Sequence, residues 1–387
     1  MRIFMVHPHD IYSLDEPWTR RIKALAKELV NSGNEVKLAY FPLSRGINKT
    51  DYFDNFETVP LNRSITPASF IKNIINILKF VSWADVVHLQ KCQHYCSVPL
   101  ILAAYSMAKP LHYDWDDWEE KIWYESCGTG LHSRFVGLSF RMLERLVPFL
   151  SDTVSVSSRH LRDLALRFGI KEENIYFAPV GADLKEFKPD IDASAVRRKY
   201  SIDKPLVLYI GQLHGAQYIE LFLEAAKIVL SKNPEITFMI VGKGFREKEL
   251  KDFSCKLGIS SRVIFTGAVI PQEIPRYISA ADICVAAFKD TEVTRCKSPL
   301  KIVEYMACGK AIVASNVGEV RRMLGGVAML AEPDSASSLA DGILMLINNK
   351  GLRENLGRFA RVRVEEKYNW SNTADNLLMA YRKIYGQ

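Results

Sequence analysis

KSPLKIVEYMACGKAIVAS, residues 297–315, holds a loop, a helix and a strand in succession. Ser298 can cap the helix, Pro299 suits its first position, and Gly309 ends it before the apolar run Ala311–Ala314. A helix delivered straight into a short apolar strand is one half of a βα unit, the repeating piece of a parallel sheet.

Working outward, the same alternation runs the length of the chain. Ahead of this stretch, strands are expected at Leu206–Ile210, Ile236–Val241, Val263–Thr266 and Ile283–Phe288, with helical periodicity between them. In the first half the strand candidates are Arg2–Val6, Glu35–Phe41, Asp85–Gln90, Pro110–Trp115, Asp152–Ser157 and Asn174–Val180. A helix is expected from Pro17 to Ser32, with Ile22, Leu25, Ala26, Leu29 and Val30 on one face and Gly33 at its end. The polar stretch Gly181–Asp203 separates the two series. After Ser335 the chain reads as helix, broken once at Tyr368–Trp370. The fold class is therefore α/β: residues 1–185 form one Rossmann-like domain and 186–370 a second, facing it across a cleft. A helix at 371–387 packs back toward the first.

Composition agrees with a folded chain of that size. Its 387 residues are 48% hydrophobic and 25% charged, enough for two cores. The first apolar run, Arg2–Val6, is too short for a signal peptide, and Val98–Ala108 falls short of the ~20 residues that span a bilayer. Seven cysteines in no regular framework point to free thiols and a reducing cytoplasm. Cys92 and Cys96, with His94 between them, do not make a zinc spacing. The net charge of +7 is uneven: residues 1–185 hold 22 Lys and Arg against 21 Asp and Glu, leaving 29 against 23 for the rest. That excess suits a domain that binds a polyanionic ligand, although solvated lysines explain it equally well. No aromatic-basic platform accompanies it, so nucleic acid is not an expected partner.

Several residues carry candidate chemistry. At the start of the 297–315 helix, free N–H groups with Lys297, Ser298, Leu300 and Lys301 can receive a phosphate, and Glu304 can accept hydrogen bonds from sugar or ribose hydroxyls. The plain alternative is a capped amphipathic helix with an exposed glutamate. Glycine-bearing strand ends occur at Gly211–Gln212, Gly242–Lys243 and Gly267. In the first half, LHYDWDDWEE (111–120) places five carboxylates in seven residues at a strand end. Unpaired like charges so close raise one another's pKa, which is more usual at a site than on a passive face. Asp114, Asp116 and Asp117 could alternatively hold a metal. Glu16, Trp18 and Arg20 can line an acceptor, or Trp18 can simply pack the helix start. Arg134, Arg141 and Arg145 with Phe135, Leu138, Leu143 and Leu146 form an amphipathic helix. Core packing with a solvated basic face is the first reading of it, and contact with an anionic membrane the second.

Residues 297–315 resemble the C-terminal signature of retaining GT-B glycosyltransferases of family 4. There, two glutamates flank seven residues ahead of a Met-Ala-x-Gly stretch and an apolar strand. On that resemblance Glu304 takes the place of the second glutamate, which contacts the donor ribose, and Cys296 that of the first. Tyr209-Ile-Gly-Gln-Leu213 is similar to the family's Gly-Arg-Leu turn, with Gln212 and Gln217 where an Arg and a Lys clamp the diphosphate. Lys301 is then a replacement for the lost charge. Gly242, Lys243 and Gly267 fall in the loops around the base, and Pro-Val-Gly-Ala-Asp183 with Phe187 is similar to another family run. Asp116, with Asp117 beside it, stands where the family has a catalytic histidine, and Asp114 joins the acceptor side.

The resemblance implies transfer of a sugar, with retention, from a nucleoside diphosphate sugar to a hydroxyl of a glycan or lipid-linked acceptor. It implies no cofactor and no metal, and work at the inner membrane face. The losses at Gln212, Gln217 and Cys296 keep a catalytically silent partner subunit as an alternative. A GT-B sugar-nucleotide epimerase is another.

Overall fold

A computed structural model of the protein describes residues 1–13, 19–43, 51–63, 66–128, 130–214 and 218–386. They divide into two compact units, Met1–Val180 with Trp370–Gln387, and Gly181–Asn369. The division expected at 185/186 thus falls five residues earlier, and the C-terminal helix, Trp370–Ile384, belongs to the first unit.

Within that unit the strands are β1 (Arg2–Val6), β2 (Glu35–Tyr40), β3 (Asp51–Phe53), β4 (Phe56–Pro60), β5 (Val86–Gln90), β6 (Leu111–Trp115), β7 (Thr153–Val156) and β8 (Ile175–Phe177). They lie in the order β3-β4-β2-β1-β5-β6-β7-β8, parallel throughout except for the β3–β4 hairpin. Residues 3–6 of β1 are buried, as are all of β5 and β6, because helices cover both faces of a parallel sheet. The helices are α1 (Arg20–Asn31), α2 (Pro67–Trp83), α3 (His94–Ser106), α4 (Glu119–Cys127), α5 (Leu131–Phe149) and α6 (Arg159–Arg167). α1 buries Ile22, Leu25, Ala26 and Leu29, and Gly33 follows it in a left-handed conformation (φ 81°) that favours glycine. Pro17, expected to open this helix, lies outside the described residues.

α5 corrects its first reading. Its buried face is made of Ser133, Gly137, Glu144, Val147 and Pro148, while Phe135, Leu138 and Leu146 are exposed. Gly137 is the reason for the close approach: a Cβ there would lie 2.3 Å from the Tyr124 ring of α4. The Glu144 carboxylate accepts hydrogen bonds from the backbone N–H groups of Glu119 (2.7 Å) and Glu120 (2.9 Å) and from the Trp115 indole (3.2 Å). It caps α4 from a neighbouring helix, since Trp118 at the cap position has no side chain able to do so.

In the second unit β9 (Leu206–Ile210), β10 (Thr237–Val241), β11 (Val263–Phe265), β12 (Ile283–Ala286), β13 (Ala311–Ser315) and β14 (Met329–Ala331) form an all-parallel sheet in the order β11-β10-β9-β12-β13-β14. Its helices are α7 (Ser194–Lys199), α8 (Ile219–Lys232), α9 (Glu247–Lys256), α10 (Ile274–Ala280), α11 (Glu292–Cys296), α12 (Leu300–Ala307), α13 (Gly318–Leu324), α14 (Ala336–Asn348) and α15 (Lys350–Lys367). Val207, Tyr209, Phe222, Phe238, Val285, Val313, Leu339 and Ile343 share one core cluster, each such side chain stabilising by roughly 1.5–3 kcal/mol against exposure.

Strand order places the ligand crevices. In the second sheet β9, β10 and β11 are laid down in one direction and β12 returns to the other side of β9. In the first, β1 and β5 stand in the same relation. Such switch points leave a crevice outside the carboxyl ends of the two strands, where open α/β sheets take ligands.

Candidate functional site

The glycines singled out in the second half all follow strands of the second sheet on its carboxyl edge. Gly211 follows β9, Gly242 and Lys243 follow β10, and Gly267 lies just past β11. Their loops are zipped together: the Gly211 N–H donates to the Val241 carbonyl (3.0 Å), Gly242 N–H to Gly267 (3.0 Å) and Leu213 N–H to Lys243 (3.0 Å). At Gly242 (φ 145°) a Cβ would stand 1.9 Å from the Gly211 oxygen, so this packing requires glycine.

α12 enters the same edge from β12. The Tyr305 hydroxyl accepts the Ile210 N–H at 2.9 Å, tying the helix to the end of β9. This places Lys301 at the β9/β12 switch point. Its Nζ lies 4.1 Å from the centre of the Tyr209 ring and 5.9 Å from that of Phe288, and is enclosed with no hydrogen-bond partner among the described residues. Burial, with a smaller push from Lys297, lowers its pKa to about 7 against the pull of Glu304. A buried ammonium without an acceptor is costly, and an anion brought to it would remove the cost. Glu304 is only 6% exposed, which rules out the plain reading of it as a surface residue.

One expectation for this helix is corrected. Ser298 does not cap it: α12 begins at Leu300, the cap position is Pro299 in extended backbone, and no side chain caps the end. Ser298 is instead buried, as is Cys296. Lys297, Leu300, Lys301 and Glu304 are brought to one helix start, and Gln212 lies in the loop after β9. Gln217 lies outside the described residues.

In the first unit the acidic run is divided by the strand's end. Asp114, still inside β6, is 0% exposed; its oxygens accept from Arg21 of α1 (2.8 Å each) and from the Ser155 hydroxyl (2.6 Å). Burial would raise its pKa, but Arg21 outweighs burial and holds the carboxyl well below the usual range. Asp114 is therefore an interior ion pair, neither on an acceptor surface nor in a metal triad. Glu120 pairs with Arg141 at 3.0 Å.

Asp116, Asp117 and Glu119, beyond the strand, stay together, each offering an oxygen within 4.8 Å of the others. They are not unpaired, as the spacing suggests. Lys91, the residue after β5, reaches Asp116 Oδ1 at 3.1 Å and Asp117 Oδ2 at 3.8 Å and donates to Glu119 Oε1. Burial disfavours its charge, but Asp116, Glu119 and Asp117 hold the pKa well above the ordinary value. Gln90 Nε2 donates to Asp116 Oδ2 (2.9 Å), and Gln90 Oε1 pairs with His7 Nδ1 (2.7 Å), the residue after β1. Burial, then His9, keeps His7 well below 6.5, so it is neutral; its Nε2 has no hydrogen-bond partner among the described residues. Asp116 thus sits at the β1/β5 switch point. Gln90 and Lys91 carry no motif in the sequence, and only their places at a strand end could have suggested them. Arg20 begins α1, while Glu16 and Trp18 lie outside the described residues.

Comparison with known proteins bears on both units. The family described as Glycosyl transferases group 1 matches residues 204–349. The chain is 28% identical over 206 residues to alpha-D-kanosaminyltransferase of Streptomyces kanamyceticus, covering 51% of this chain and 52% of that protein. It is 27% identical over 248 residues to D-inositol 3-phosphate glycosyltransferase of Paenarthrobacter aurescens, covering 62% and 59%. The match thus spans between half and three fifths of the length of these curated relatives. Among solved structures, sucrose-phosphate synthase from Thermosynechococcus elongatus superposes with a TM-score of 0.75 at 18% identity, over 99% of each chain. HepE of Anabaena in complex with UDP-glucose does so with 0.76 at 17%, over 99% of this chain and 100% of that one.

Proposed function

We propose that this chain, whose residues 204–349 match the group 1 glycosyl transferases and whose two units have the GT-B fold, transfers a sugar from a nucleoside diphosphate sugar to an acceptor hydroxyl. Retention at the anomeric carbon follows from the family reading. The observation that carries the proposal is Lys301, an enclosed ammonium with no hydrogen-bond acceptor among the described residues, at the β9/β12 switch point.

In this reading the donor's diphosphate supplies the missing acceptor. The charge that develops on the leaving diphosphate is met by Lys301, by Lys297 and by the uncapped N–H groups at the start of α12. Glu304, buried one turn further along, accepts the ribose hydroxyls, and the loops at Gly242–Lys243 and Gly267 flank the base. UDP-glucose in the HepE complex supports a nucleotide-sugar donor of this class. Asp116 and Asp117 belong to the first unit and serve the acceptor. No metal takes part, because Lys91 already lies among the carboxylates that could hold one.

The acceptor is a glycan or lipid-linked glycan, met at the inner face of the cell membrane. No helix among the described residues is long and apolar enough to cross a membrane. α5 instead offers a surface: Leu131, Phe135, Leu138, Met142, Leu146 and Phe149 are exposed in one stripe, with exposed Arg134, Arg141 and Arg145 on the same helix. Apolar residues that insert and cations that meet anionic headgroups are what a helix lying in an interface needs.

Calorimetric titration with UDP, GDP and ADP, paired with nucleotide release from their sugar conjugates with and without acceptor glycosides, tests the central reading. Binding of one nucleotide and acceptor-dependent release are expected. A protein that binds none of the three and releases none would sink it. For the surface, sedimentation with phosphatidylglycerol vesicles should exceed that with phosphatidylcholine and fall in Phe135→Glu; equal sedimentation would remove the membrane reading alone.

A further inference from the structure

We infer that Lys91 is the built-in cation of the Asp116–Asp117–Glu119 cluster: its ammonium fills the place a divalent ion would take and fixes the orientation of the Asp116 carboxylate.

Three observations meet at this residue. Its Nζ stands among the three carboxylates, 3.1 Å from Asp116 Oδ1, 3.8 Å from Asp117 Oδ2 and hydrogen-bonded to Glu119 Oε1, while the carboxylate oxygens lie within 4.8 Å of one another. An ion ligated by oxygens so spaced would occupy the same point. Next, the backbone of Lys91 is left-handed, with φ 64°. A non-glycine residue there is strained, and such strain persists only where the surroundings enforce it. Finally, the Lys91 side chain is only 5% exposed, although lysine is rarely buried unless paired. The turn after β5 thus accepts an unfavourable backbone and a buried ammonium in order to deliver a positive charge to this point.

The consequence for Asp116 is geometric. Its Oδ2 accepts from Gln90, and its Oδ1 lies 3.1 Å from the Lys91 ammonium in an ion pair that makes no hydrogen bond, so the carboxylate is oriented by one hydrogen bond and one charge contact. Gln90 is in turn held by His7 from the end of β1. The carboxylate is aimed before any substrate arrives, and it can accept a hydrogen bond from an incoming hydroxyl without first turning. Lys91 acts through Asp116 and is a positioning residue, and its kinetic effect rests on the reading of Asp116 proposed above. Its effect on metal binding does not.

Lys91→Gly is the informative variant, because glycine adopts a left-handed backbone without strain and so removes the ammonium while relieving the turn. Manganese(II) titrated into the full chain, with free ion followed by electron paramagnetic resonance, is the readout. Lys91→Gly should bind Mn(II) more tightly than the unsubstituted protein by roughly tenfold or more, the scale of one like charge removed at contact range. Mn(II) should correspondingly raise the melting temperature of the variant and not of the unsubstituted chain. Nucleotide affinity should be unchanged in the variant, while kcat falls and is partly restored by Lys91→Arg. Equal Mn(II) affinity in the two proteins, or Mn(II) binding by the unsubstituted chain at the variant's strength, would overturn the inference. Loss of nucleotide binding by the unsubstituted protein would instead overturn only the donor reading.

Discussion

Lys301 Nζ stands 2.7 Å from the position that a Cβ on residue 211 would take, so the glycine after β9 and the lysine of α12 share one space. The strand end is open because the ammonium occupies it, and the ammonium has no hydrogen-bond partner among the described residues in return.

Donor affinity should therefore depend on pH through Lys301. In the free protein its pKa is about 7. A bound diphosphate raises it, so binding takes up a proton. Affinity is full below pH 7 and is lost as pH rises through and above it. Calorimetry in two buffers of different ionisation enthalpy should report proton uptake at pH 8 that vanishes in Lys301→Met, with affinity lower by about tenfold to a hundredfold. Binding with no proton uptake would refute the assignment.

The same residue should lower the stability of the ligand-free protein. Its pKa is lowered on folding from 10.5 to about 7, so the unfolded chain binds more protons between those values and stability rises with pH across that window. Lys301→Met should then unfold at higher urea than the unsubstituted chain at pH 8, by about 1–4 kcal/mol. A destabilised Lys301→Met would count against a buried ammonium that destabilises the ligand-free fold.

Two glycines should respond differently to one methyl group. Gly211→Ala meets the end of the flexible Lys301 side chain at 2.7 Å and the edge of the Tyr209 ring at 3.3 Å, with no backbone among these neighbours, so it should keep its fold and lose nucleotide affinity. Gly242→Ala meets the Gly211 carbonyl at 1.9 Å with φ at 145°, so it should lose stability by more than ~1 kcal/mol. Thermal melts with and without UDP separate the two outcomes, and identical behaviour would contradict the loop packing.

Arg21 and Asp114 should be costly to separate. Removing either partner leaves a buried charge, and Arg21→Met or Asp114→Leu should each destabilise by about 3–5 kcal/mol, while the double substitution costs less than their sum. Additive losses in urea melts would show that the pair is not coupled.

Acid should unfold the first unit through His88 and His112. Burial lowers the pKa of His88 to about 4, and Asp114 only partly opposes it; burial and His88 hold His112 well below 6.5. The unfolded chain binds more protons between 6.5 and 4, so stability is full above pH 6.5 and falls through that window. His88 alone should contribute about 3 kcal/mol to the fall. His88→Gln should flatten the profile, and an unchanged slope would remove His88 as its source.

The strands were legible because parallel strands covered on both faces are continuous apolar runs, as at Arg2–Val6, Leu206–Ile210 and Ala311–Ser315. β3, β4 and β14 were not expected, because Asp51–Phe53 and Phe56–Pro60 mix polar with apolar residues and pair as a hairpin at the sheet's edge, and β14 is three residues long. α5 was misread because periodicity shows that a helix has an apolar stripe but not which side meets the protein; Gly137 and Glu144, small or hydrogen-bonded, decided that. Asp114 and Asp116 are two residues apart and look equivalent. One lies within β6 and finds Arg21, whereas the other passes the strand's end and meets Gln90 and Lys91.

By itself the sequence determined the alternation of strands and helices, the glycines at strand ends and the segment 297–315, because local periodicity and backbone freedom are written into neighbouring residues. Only the tertiary structure decided that β9 and β12 adjoin, and so that Lys301 stands at Gly211, and that β1, β5 and β6 adjoin, and so that His7, Gln90, Lys91 and Asp116 meet. Those meetings depend on strand order, and strand order is set by how helices bury their faces against a whole sheet, a free energy summed over residues far apart in the chain.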